Sequence, residues 1–123
     1  MLEMSSKGKE FNEISRDTEQ KLNDWLIASG IEKEQLIERL ENGSIDIQIE
    51  EEKNNIQIKI IQKGDCIGLP FVYNSDSLGN FEDEKKMFFM DVILILMAAI
   101  ADCNDKTYAK IKEKIMREIF PLI

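Results

Sequence analysis

Residues 87–101, Met-Phe-Phe-Met-Asp-Val-Ile-Leu-Ile-Leu-Met-Ala-Ala-Ile-Ala, hold one polar side chain in fifteen, Asp91. A membrane span needs about 20 apolar residues, and this run passes straight into Asp102-Cys103-Asn104-Asp105. The pattern therefore predicts a helix buried on nearly all sides, and the rest of the chain has to cover it. Asn80, followed by Asp83, predicts a capped start for that helix, because an Asn side chain accepts from a free amide of the first turn. A last helix is predicted from about Asp105 to Ile119, with Tyr108, Ile111, Ile115 and Ile119 on one stripe. Its lysines lie mostly off that stripe, and Pro121 follows the stop.

Two other stretches offer cover. Ile45, Ile47 and Ile49 alternate with Asp46, Gln48 and Glu50, and Ile56, Ile58 and Ile60 alternate with Gln57 and Lys59. Period two with β-branched residues predicts an antiparallel hairpin with one apolar face, turning within 51–55. Lys63-Gly64-Asp65 reads as a second turn into residues 66–73. Pro70 cannot donate to a ladder, so this third segment is an edge strand or an extended loop. Upstream, Phe11, Ile14, Leu22, Trp25 and Leu26 share a helical face that stops at Gly30, and Ile31, Leu36, Ile37 and Leu40 mark a second helix ending near Gly43. The fold class is α+β: two N-terminal helices, an antiparallel meander of two or three strands, then two C-terminal helices. Residues 1–10 read as a flexible tail and 11–123 as one domain, the normal expectation for 123 residues.

Charge narrows the partners. The net charge is −8. Residues 1–43 carry 6 basic and 10 acidic groups, 44–80 carry 3 and 6, and 81–123 carry 7 and 8. No segment has the basic footprint of a nucleic-acid binder, although a local patch of lysines can still form on folding. The two N-terminal helices fit a helix-turn-helix outline, but the reading helix Glu32-Lys33-Glu34-Gln35-Leu36-Ile37-Glu38-Arg39 has three glutamates against two cations, wrong for a groove. The first six residues lack a basic stretch before an apolar run, so no export signal is read. With only Cys66 and Cys103, a reducing cytosol and two free thiols are expected.

The chain has no histidine, which removes Ser-His-Asp and Cys-His catalysis and the commonest metal ligand. No phosphate-cradling glycine motif is present. Carboxylates remain. Glu50-Glu51-Glu52 reads as a solvated hairpin tip. Asp102 and Asp105 bracket a corner, with Asp105 placed to cap the last helix. Asp91 reads as part of a solvent stripe shared with Glu84 and Asp102. Cys103, flanked by acids, reads as an inert, partly exposed thiol. No catalytic, cofactor or metal residue is assigned.

The segment Glu82-Asp83-Glu84-Lys85-Lys86-Met87 leading into Ala98-Ala99-Ile100-Ala101-Asp102, with Gly43 opening the alternating strands, is similar to the YbaB-type nucleoid-associated family. That resemblance implies a dimer of helix, three strands and helix, associated with DNA. The chain departs from it in the break at Gly30, the extra residues 64–80 and the more apolar second half. Small acidic secretion chaperones share its size and acidity, but typically place strands between their last two helices. The expected function is a non-enzymatic cytoplasmic protein-binding module of adaptor, chaperone-like or acidic inhibitor type. It would be a homodimer, with Met87, Phe88, Met90, Asp91, Ile95 and Met97 as partner surface and no membrane or cofactor involved. A DNA-associated dimer is the alternative, and a carboxylate-only enzyme comes third.

Overall fold

The computed structural model describes residues 5–75 and 81–123, with side chains from residue 16 onward. Helices α1 (Ser5–Ser29) and α2 (Lys33–Asn42) come first. Strands β1 (Asp46–Glu52), β2 (Asn55–Gln62), β3 (Asp65–Cys66) and β4 (Phe71–Asn74) follow. Helices α3 (Phe81–Ile100) and α4 (Asp105–Glu118) come next, and a 3-10 turn, Phe120–Leu122, closes the chain. The α+β layout holds. No helix among the described residues is long and apolar enough to cross a membrane.

Strand β2 is the centre of the sheet. Its register with β1 sets Ile47 against Ile60 and Ile49 against Ile58. Directly opposed residues share a face, so both isoleucine sets point into one core. Ile56 and Ile58 are fully buried and Ile60 nearly so, each worth about 1.5–3 kcal/mol of apolar burial. Ile47 and Ile49, on the outer strand, are only half-buried against the same core. On the other side of β2 lie two short strands, β3 opposite Ile61 and Gln62 and β4 opposite Asn55 to Ile58. They are one edge strand broken around Pro70, whose missing N–H prevents a continuous ladder.

The hairpin turn is shorter than the sequence suggests. Glu52 pairs with Asn55, leaving Lys53-Asn54 as the loop, and Glu50 to Glu52 are strand residues rather than a tip. Lys59 reaches Glu50 at 3.5 Å and Lys85 reaches Glu51 at 3.1 Å, so alternation sends neighbouring carboxylates to opposite faces.

Helix α1 begins at Ser5, six residues before Phe11. The expected apolar positions Phe11 and Ile14 lie outside the described side chains, and the Asn80 cap lies outside the described residues. Helix α1 ends as Gly30 predicts. Gly30 adopts φ 68°, its N–H reaches the Ile27 carbonyl, and the Ile31 N–H reaches the Leu26 carbonyl. This double closure needs a left-handed residue, which glycine supplies without a Cβ clash. The buried Leu22, Trp25 and Leu26 turn α1 onto α3 and the β4 edge. Trp25 stacks on Phe71 at 5.0 Å between ring centroids, and its Nε1 donates to the Leu69 carbonyl at 2.8 Å. The link between β3 and β4 passes so close that a Cβ on Gly68 would lie 2.6 Å from the Trp25 ring.

Helix α2 starts on a reciprocal box between Glu32 and Gln35. Gly43 past its end is extended rather than left-handed. The closing partner is Gln62 of β2, whose Nε2 donates to the Arg39 carbonyl at 2.7 Å. Helix α4 is capped by Asn104, whose side chain accepts from the Thr107 N–H at 2.8 Å, so Asp105 is the first helical residue and not the cap.

Candidate functional site

Helix α3 is the centrepiece, and its cover is incomplete. Phe89, Val92, Ile93, Ile95, Leu96, Ala99 and Ile100 are buried, and α3 packs on α1, α2, α4 and the β4 edge. Met87 is 68% exposed, Met90 42% and Leu94 37%. At 100° per residue these three fall on one outward stripe that runs on through half-buried Ala98 to exposed Ala101. The closing 3-10 turn lies against α3 and adds exposed Phe120, Leu122 and Ile123.

The six residues read from sequence as partner surface divide. Met87 and Met90 are exposed, and Asp91 and Met97 half-buried at the rim of the stripe. Phe88 is half-buried against Tyr73 and Phe89, with centroid separations of 5.6 and 5.9 Å, and Ile95 is buried. The chain covers these two itself, Phe88 against Tyr73 of β4; Leu94, not Ile95, is the outward residue. Asp91 is paired with Lys21 of α1 at 3.4 Å. Burial works against the Lys21 charge, but Asp17 and Asp91 outweigh it and hold the ammonium above the ordinary lysine pKa. Glu84 and Asp102, expected to share a solvent stripe with Asp91, are each tied to another element. Glu84 accepts from the Tyr73 hydroxyl and, at 3.4 Å, from the Ser75 hydroxyl, which ties β4 to the first turns of α3. Asp102 pairs with Lys33 at 2.8 Å, and that contact raises the Lys33 pKa despite partial burial.

Cys103 is buried, not partly exposed. Burial, with Glu41 and Asp102 nearby, pushes its pKa up and leaves a protonated, weakly nucleophilic thiol. Cys66 is half-buried, and both cysteines are free. Among the described residues no three Cys, Asp or Glu side chains are placed to hold a metal ion.

Two hollows border α2 and α4. The first, about 20 Å³, is enclosed by apolar side chains including Trp25, Leu36 and Ile100, and an apolar void of this size stays dry and takes no ligand. The second is a cleft of about 360 Å³ between the end of α2 and one face of α4. Lys106, Lys110 and Lys114 line it. Sequence reasoning set these lysines aside as lying off the core stripe, yet their spacing of four places them on a single helical face. No protein-family model, curated protein or solved structure matches the chain.

Proposed function

We propose that the chain is a non-enzymatic protein-binding module whose first partner is a second copy of itself, joined through the outward face of α3. The observation that supports this is the order of side-chain sizes along the stripe. Large residues stand at its N-terminal end, Met87 and Met90, and small ones at its C-terminal end, Ala98 and Ala101, with Leu94 midway.

Two such helices packed antiparallel about a twofold axis at Leu94 set Met87 against Ala101 and Met90 against Ala98. Each methionine meets an alanine and Leu94 meets its own copy at the axis, which lets the two helices approach to the 8–10 Å between axes of ordinary helix packing. A twofold contact uses the same patch on both copies. The methionines give the face the pliancy that protein-binding surfaces use.

Light scattering of the purified chain tests this. The expected mass is twice 14.3 kDa at micromolar concentration. Leu94→Asp opposes two carboxylates at the axis and should return the mass to 14.3 kDa with an unchanged circular dichroism spectrum. In a Cys66→Ser background, Leu94→Cys should cross-link two chains on mild oxidation. A wild-type mass that stays at the single-chain value on concentration defeats the reading.

A further inference from the structure

We propose that the cleft between α2 and α4 binds a small phosphomonoester, with its phosphate on Lys106 and Lys110 and its organic body on the apolar floor. This goes beyond the self-association of α3 and rests on a different part of the molecule.

The cleft is built from two kinds of surface. Leu40, Ile45 and Ile111 contribute apolar groups, and Asn42, Ser44 and Thr107 line it with polar ones. Small-ligand sites are concave and pair apolar surface with convergent polar groups that fix orientation; this cleft is the more polar kind, and 360 Å³ is enough for a phosphate with a ring-sized body.

Charge selects the ligand. In a chain of net charge −8, three lysines line this cleft against one carboxylate, Glu41. Glu41 already accepts the Asn104 N–H at 2.7 Å. Lys114 is likewise engaged, donating to the Ile45 carbonyl at 2.5 Å and to Asp46 at 3.0 Å. Lys106 and Lys110 form no ion pair among the described residues, so two cations one turn apart remain for an anion. Arginine is absent from the lining. The planar fork that grips a carboxylate in two places is missing, and compact ammonium groups suit the tetrahedral, doubly charged phosphate. The apolar floor then favours an organic phosphate over the free ion.

The isotope-labelled full chain, followed by amide NMR, is titrated with phenyl phosphate, inorganic phosphate and phenol. Phenyl phosphate should saturate below about 10 mM and shift amides of residues 40–45 and 104–114. Inorganic phosphate should shift the same amides about tenfold more weakly, and phenol more weakly still. The exposed pair Lys106→Gln and Lys110→Gln should weaken phenyl phosphate about tenfold or more without moving the remaining amides. The control pair Lys21→Gln and Lys33→Gln should leave affinity unchanged. Shifts scattered over all lysines, equal affinity for the two phosphates, phenol as tight as its phosphate, or unaltered binding by the Lys106 and Lys110 variant each overturn the proposal.

Discussion

Two lysines sit where the backbone favours other residues. Lys53 in the β1–β2 loop has φ 46° and Lys63 in the β2–β3 loop has φ 53°. Lys63 is followed by Gly64 at φ 84°, so both central residues of that two-residue hairpin loop are left-handed. This is the twist-matched turn that Asn-Gly forms best. A left-handed lysine costs roughly 1–2 kcal/mol in crowding of its Cβ, and asparagine recovers part of it. Lys63→Asn should raise stability by about 0.5 kcal/mol, read as a higher urea midpoint at unchanged slope. No effect, or a loss, would mean that the lysine side chain contributes a contact of its own.

At the scale of elements, the sheet is unequal across its strands. Ile58, on the central strand, is fully buried, whereas its neighbour Ile49 on the outer strand is half-buried. Ile58→Ala should cost about 2–5 kcal/mol through lost transfer energy and a cavity, and Ile49→Ala about half that or less. Equal losses in denaturant unfolding would show that β1 is as deeply covered as β2. The alternation of isoleucines announced both strands, because period two is a local property. It did not announce their ranking, since which strand is central depends on β3 and β4 arriving from residues 65–74. The third strand was half legible: Pro70 predicted an edge and its break, but not that Trp25 and Ser29 of α1 bond to Leu69 beside it.

The whole molecule has an alkaline weakness. Cys103 keeps its proton in the fold above the ordinary thiol value of 9.0, so unfolding releases a proton there and stability falls as pH rises. Lys21 and Lys33 keep theirs above 10.5, and their contribution is present below that pH and lost beyond it, in the same direction. Both lysine pairs are more than a third exposed, so each is worth less than about 1 kcal/mol. Urea midpoints should therefore be flat from pH 7 to about 8.5 and decline above 9. Cys103→Ala should remove the first part of the decline, and Asp91→Asn with Asp102→Asn the part above 10.5. A midpoint that rises with pH would contradict the assignments.

By itself the sequence determined what is local: the periods of helix and strand, the left-handed stop at Gly30 and the lack of histidine chemistry. It also determined that residues 87–101 need cover. Which side of that helix stays uncovered was a tertiary decision, because α1, α2, the sheet and α4 each take an arc and only their packing shows that Leu94 is left out and Ile95 taken in. The lysine cleft was decided the same way. The spacing of Lys106, Lys110 and Lys114 was present in the sequence, but Leu40 and Ile45 reach that face only when α2 and β1 close against α4, and a site made by such long-range contacts has no local period to betray it.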